Sequence, residues 1–165
     1  MPTSPPMYDF TIRAESKPSL YRELLGALDA LTAGERDGIA NMANAAALIA
    51  QYLPDLNWSG FYRLVGGELV LGPFQGKAAC IRIPLGKGVC GTAAAERRTQ
   101  LVADVHAFPG HIACDAASRA ELVVPIVHDG ALIGVLDLDS PVTARFDDDD
   151  ARGCEALMAL LAPRL

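Results

Sequence analysis

Three thiols and three carboxyl groups in the second half of the chain have the types and setting for chemistry. Cys80, Cys90 and Cys114 lie in AACIRIP, GVCG and HIACD; Glu121 opens ELVVPIV, and Asp137 and Asp139 lie in LDLDS. A cysteine thiolate is a nucleophile and a two-electron reductant. Clustered cysteines in a chain with no export signal point to redox chemistry or metal binding rather than structural disulfides. Cys80 and Cys90 are ten positions apart and Cys114 is a further 24 on, with no C-x-x-C pair. A zinc site from these with His106 or His111 would be irregular, and no bound metal is expected. Cys114 stands between apolar Ile112-Ala113 and Asp115, in a loop with His106, Pro109 and Gly110. His111 and Arg119 are near enough in sequence to favour its thiolate. The bland alternative is a small buried residue. The fourth thiol, Cys154, is spaced four from Met158 on an apolar helical face and is expected to be inert core.

The carboxyls gain meaning from strand register. ELVVPIV and ALIGVLDLDS form a hairpin, and His128-Asp129-Gly130 fits a three-residue turn with glycine in the left-handed position. That turn pairs Val127 with Ala131, Val123 with Val135 and Glu121 with Asp137. Alternation then puts Glu121, Asp137 and Asp139 on one face with Val123, Val127, Ile133 and Val135. Leu122, Val124, Ile126, Leu132, Leu136 and Leu138 line the other. A two-residue Asp129-Gly130 turn would instead send Glu121 to the opposite face. Three carboxyls on a buried patch are too costly for packing alone, so they should bind a cation, share a proton or do both; the bland alternative is that they lie at a strand end in water. Metal binding by the acids lacks a further ligand pattern.

The elements that hold these groups follow the chain. Residues 1–17 are an extended, proline-bearing lead-in, and 18–165 form one domain. A first helix begins at Pro18 or Ser19 and carries Leu20, Leu24, Leu25, Leu28 and Leu31 as its stripe. A second spans residues 35–52, with Thr32 available as its cap and Ile39, Met42, Ala46 and Ile49 on one face; Pro54 stops it. NWSGFYRLV and ELVLGPF form a hairpin across Gly66-Gly67. Trp58, the single tryptophan, is a core aromatic or a pocket wall. CIRIP is a short strand. GKGVCG matches G-x-G-x-x-G, but the helix after it, residues 92–97, is barely two turns and no repeated parallel unit follows. A dinucleotide fold is excluded on context. The glycines place Cys90 beside a helix start, where the dipole should lower its pKa. RTQLVADV is a further strand, and the acids 147–150 start a closing helix.

Composition narrows the class. With 165 residues, half of them hydrophobic, and a formal charge of −6, the chain suits one buried core. The charge argues against nucleic acid or anionic membrane as partner. No run approaches a membrane span, and MPTSPPMYDF has neither the basic region nor the apolar core of a signal peptide. A cytoplasmic location is expected.

Two helices, strands with short helical crossings, a hairpin and a last helix: this α/β (α+β) order resembles the GAF domain, with a central, mainly antiparallel sheet packed by an N-terminal helix pair and a C-terminal helix. The block from GKAACIRIP through HIACDAASRAELVVPI, followed by GVLDLDS, is similar to the free methionine-(R)-sulfoxide reductases. The resemblance implies reduction of free L-methionine-(R)-sulfoxide to L-methionine, with Cys114 as nucleophile, Cys80 as resolving partner and Cys90 resolving or auxiliary. It implies a sulfenic acid and then an intramolecular disulfide, recycled by a thioredoxin-type dithiol and so indirectly by NADPH, with no bound cofactor. Glu121 and Asp139 would serve the sulfoxide oxygen, Asp137 the substrate ammonium, and Trp58 and Tyr62 the pocket wall. A homodimer through the N-terminal helices fits the same resemblance. The rival expectations are a GAF sensor that binds a small ligand without turnover, and a thiol sensor of oxidant.

Overall fold

The computed structural model describes residues 13–112 and 115–165. Cys114 and most of the lead-in therefore lie outside the described residues. Helix α1 (Lys17–Thr32) starts under Ser16, whose side chain accepts from the Ser19 amide. Helix α2 (Gly38–Tyr52) starts later than its alanine-rich pattern predicts, because Asp37 accepts from the Ile39 and Ala40 amides and caps it. Such a cap contributes about 1 kcal/mol. Thr32, expected as that cap, instead donates to the Leu28 carbonyl at the end of α1. Ile39, expected on the apolar face, lies in the first turn of α2 and is 50 % exposed, whereas Met42, Ala46 and Ile49 are buried.

Six antiparallel strands follow: β1 (Trp58–Val65), β2 (Glu68–Gly76), β3 (Arg82–Pro84), β4 (Gln100–Val102), β5 (Ala120–His128) and β6 (Ala131–Ser140). Their spatial order is β3-β2-β1-β6-β5-β4. Helix α3 (Gly88–Glu96) lies between β3 and β4, and α4 (Asp148–Leu161) closes the domain. One sheet face packs on α1, α2 and α4 through Phe61, Leu122, Val124, Ile126, Leu136 and Leu138. The other face carries Trp58, Tyr62, Val123 and Val135 against Val89, Cys90 and Ala93 of α3.

The last hairpin departs from its expected register in a way that preserves the face of the acids. Its turn is the two-residue Asp129-Gly130, pairing His128 with Ala131 and Val127 with Leu132. A bulge then inserts Ile133, so that Ile126 pairs with Gly134, Val123 with Asp137 and Glu121 with Asp139. A two-residue turn alone would reverse the parity, and the extra residue restores it. The price of the compensation is local: Leu132 packs on the Trp58 face and Ile133 on the helix face, the reverse of expectation.

Candidate active site

Alternation along three adjacent strands builds the pocket floor. Trp58 pairs with Asp139 and Gly60 with Asp137 across β1 and β6, and Glu121 sits opposite Asp139 from β5. Their side chains share a face with Tyr62, and the pocket they line has about 550 Å³ of free space, including its opening. Trp58 is buried, stacked between Tyr62 and Phe74, and its indole N–H donates to the Lys77 carbonyl at 3.0 Å. Tyr62 donates its hydroxyl to the Cys80 carbonyl at 3.0 Å, tying the floor to a cysteine segment. Both aromatic residues are therefore pocket walls with fixed ring planes.

The G-x-G-x-x-G segment forms the opposite wall. Gly86 and Gly88 take positive φ, and a side chain on Gly91 would strike the Pro84 carbonyl. These constraints give a tight turn, and α3 begins inside it, four residues earlier than the expected start at 92. Cys90 is thus in the first helical turn and 5 % exposed, with Sγ 3.8 Å from Glu121 Oε1. Its pKa does not fall as the helix start predicts. Burial pushes the thiol well up, and Asp137, Glu121 and Asp139 add to the rise. Desolvation and three nearby carboxyls outweigh one short helix.

Those carboxyls perturb one another. Burial, then Asp137 and Asp139, hold the Glu121 carboxyl well above its ordinary range. Asp139 is likewise raised well above, by burial first and then by Asp137. Asp137 is raised by burial, with hydrogen bonds from Glu121 and Cys90 opposing the shift. Glu121 and Asp137 are each 6 % exposed, and Asp137 Oδ1 is buried without a hydrogen-bond partner. Among the described residues no ion pair reaches any of the three. The cluster can hold protons, donate one, or receive a cation.

Cys80 is disulfide-bonded, whereas Cys90 and Cys154 are free and buried. Cys154 lies on α4, on the far side of the sheet from the acids, and burial pushes its pKa up to about 12. It is inert core, as its spacing predicts. His111 lines the pocket, its pKa lowered by burial and by His106, and Arg119 Nη1 lies 2.8 Å from His106 Nε2.

One anchoring group escaped the sequence. Asn57 Nδ2 donates to Asp115 Oδ2 at 3.1 Å and to Ser118 Oγ at 3.0 Å, while the Asn57 amide donates to the Asp139 carbonyl. Asp115 Oδ1 also accepts from the Ala117 amide, and these bonds keep its pKa low. The segment just after position 114 is thereby clamped to the strand that carries Asp139. A lone asparagine before a strand gives no sign of partners some 60 positions away.

Comparison with known proteins agrees with this geometry. The GAF domain family model matches residues 40–164. The free methionine-R-sulfoxide reductase of Escherichia coli K12 is 53 % identical over 146 residues, covering 88 % of each chain. The chain belongs to the free methionine-R-sulfoxide reductase family of GAF-domain proteins. A Neisseria meningitidis member of this reductase family, solved in complex with its substrate, superposes with a TM-score of 0.92 at 46 % identity, covering 96 % of this chain and 95 % of that one. A Burkholderia vietnamiensis structure named as a GAF sensor protein is 61 % identical, with a TM-score of 0.87, covering 89 % of this chain and 94 % of that one. The fold is thus the reductase-family GAF fold, and the pocket of Glu121, Asp137 and Asp139 is the candidate site. No helix among the described residues is long and apolar enough to cross a membrane.

Proposed function

We propose that the protein reduces free L-methionine-(R)-sulfoxide to L-methionine. One observation carries this beyond family membership: Glu121, Asp137 and Asp139 converge in a small pocket, and Asp137 Oδ1 has no partner of its own. A free amino acid brings the ammonium group that such an acceptor needs, and a protonated carboxyl serves the sulfoxide oxygen. Asp137 binds the ammonium. Glu121 and Asp139, both held toward the protonated form, hydrogen-bond and protonate the sulfoxide oxygen. Trp58 and Tyr62 wall the methyl end, while Lys77 and Lys87, which line the same pocket, and loop amides receive the substrate carboxylate.

The chemical step begins with the Cys114 thiolate attacking the sulfoxide sulfur. A proton from the carboxyl cluster goes to the departing oxygen, which ends on Cys114 as a sulfenic acid while methionine leaves with the electron pair. The Cys80 thiol then attacks the sulfenic sulfur, expelling water and forming a disulfide. A thioredoxin-type dithiol reduces it, and no prosthetic group takes part. The disulfide-bonded state of Cys80 supports its resolving role. Cys90 is free, and its raised pKa suits an auxiliary hydrogen-bonding part better than attack.

Turnover of free methionine-R-sulfoxide with a thioredoxin system tests the proposal. Wild type should be active on the R epimer, and Cys114→Ser should lose at least about a thousandfold, the scale expected when an essential nucleophile is removed. An inactive wild type, or a fully active Cys114→Ser, overturns the function or its nucleophile.

A further inference from the structure

The redox cycle above leaves Cys90 without a covalent role, yet Cys90 is the thiol packed into the carboxyl cluster. Cys90 Sγ, a Glu121 oxygen and an Asp137 oxygen lie within 4.8 Å of one another, and all three residues are buried. The sulfur is 3.8 Å from Glu121 Oε1. Zinc bonds of about 2.3 Å to sulfur and about 2.0 Å to oxygen, opened tetrahedrally, place such ligand atoms about 3.5 Å apart. The sulfur–oxygen separation of 3.8 Å is thus close to one edge of a zinc coordination polyhedron, and the Asp137 oxygen lies within 4.8 Å of both atoms, near enough for a small side-chain adjustment to bring it onto the same ion. A second observation points to a ligand there: Asp137 Oδ1 is buried in this pocket with no hydrogen-bond partner.

We propose that Cys90, Glu121 and Asp137 form a zinc site, with water as fourth ligand, and that Zn²⁺ bound there blocks the substrate. Thiolate favours zinc over magnesium or calcium, which prefer all-oxygen shells. On binding, the Cys90 thiol releases its proton to solvent, and the ion's two positive charges face one thiolate and two carboxylates. None of the three ligands is consumed by the Cys114–Cys80 chemistry, so the site persists through the catalytic cycle. The positions, 31 and 16 residues apart, follow no zinc spacing, and only the packing of α3 on β5 and β6 joins them. The inhibitory consequence rests on the proposed function, because Asp137 and Glu121 are the groups assigned to substrate. The metal site itself does not.

Cobalt(II) tests the site directly. The probe is Co²⁺ added to the disulfide form of the wild-type protein, in which Cys90 and Cys154 are the free thiols among the described residues. A thiolate-to-cobalt charge-transfer band with tetrahedral visible bands is expected, bleached by Zn²⁺ and indifferent to Mg²⁺. Cys90→Ser should abolish the charge-transfer band, Asp137→Asn should weaken binding at least about tenfold, and Cys154→Ser should change neither. Circular dichroism checks that each variant is folded, and Asp137→Asn carries the test should Cys90→Ser fail to fold. No charge-transfer band in wild type, or a band unchanged in both Cys90→Ser and Asp137→Asn, overturns the site. In turnover assays with a protein reductant, Zn²⁺ should raise KM and leave kcat unchanged. Loss of kcat alone, or no effect at saturating metal, overturns the inhibition. If wild type shows no reductase activity while the cobalt spectra appear as described, the functional assignment falls and the metal site stands.

Discussion

Among the described residues two acidic clusters, each beside a buried free cysteine, lie on opposite faces of one sheet. At the junction of α1 and α4, Asp150 is 1 % exposed and fully served: Lys17 Nζ lies at 2.6 Å, the Tyr21 hydroxyl donates at 2.8 Å, the Asp147 amide at 2.9 Å, and Arg145 stands at 3.6 Å. Asp147 and Asp150 complete a capping box on α4, and the Lys17 ammonium helps pull Asp147 down to about 2. Gly153 makes room for the Tyr21 ring, since a side chain there would overlap it. Across the sheet, Glu121, Asp137 and Asp139 face one another and the Cys90 thiol, raised in pKa and outside every ion pair among the described residues. A buried carboxylate with cations and donors serves packing, whereas a set without a cation and with one orphaned oxygen, Asp137 Oδ1, marks a place where something else binds. The difference separates structure from function within one fold.

The sharpest way to break this contrast is to neutralise one member of each cluster. Glu121→Gln should cut kcat by about 10²–10³, the scale of a lost general acid, with KM changing far less. A change in KM alone would remove Glu121 from the chemical step. Asp150→Ala should do the opposite, costing about 3 kcal/mol of stability because Lys17 and Arg145 lose their buried partner, with kcat of the folded fraction held within about twofold. Thermal unfolding and active-site-normalised rates separate the two outcomes. Asn57→Ala, which removes the side-chain bonds to Asp115 and Ser118, should lower kcat roughly tenfold, as small misplacements of reacting groups do. Native rates in that variant would make the clamp purely structural. The smallest effect is expected of Cys154→Ala, about 1 kcal/mol for a small buried side chain, with activity intact and no protection from thiol reagents lost.

The clusters also predict opposite responses to pH. Glu121 and Asp139 bind protons in the folded protein that the unfolded chain has already released. Stability from that site is greatest at or below about pH 4, the unfolded carboxyl range, and declines as pH rises toward the raised folded values. Asp139→Asn should therefore gain on wild type in unfolding free energy as pH is raised from 4 to 8, while losing activity. Asp147, with its folded value near 2, contributes stability above about pH 4 that is lost on acidification toward 2. A flat difference between wild type and Asp139→Asn across that range would show that the site carboxyls are not desolvated.

Much of this contrast is legible in the chain, and what is hidden has physical causes. Alternation in ELVVPIV and LDLDS brings the three acids to one face, and four consecutive aspartates announce the start of α4. The turn and bulge are hidden because their errors cancel: the expected pairing differs from the observed one by two residues, which leaves parity unchanged. The Cys90 pKa is misread because a dipole is a local feature, while desolvation and the facing acids come from strands 31 to 49 positions away. Lys17, Tyr21 and Arg145 give no sequence sign that they meet at Asp150, and Asn57 none that it holds Asp115 and Ser118. Contacts between distant segments carry these, and no periodicity encodes them.

Ile133 sets a rule for how this hairpin can drift over time. A single-residue gain or loss in the turn would move the acids of one strand to the helix face, where they would sit among Leu136, Leu138 and Phe61. Only paired changes, two residues in the turn or one in the turn offset by one at the bulge, keep the carboxyls together. Sequences aligned across this hairpin should therefore show length differences in even steps, or odd steps compensated within the same hairpin. An uncompensated odd gap would mark a protein that keeps the fold and has given up the pocket.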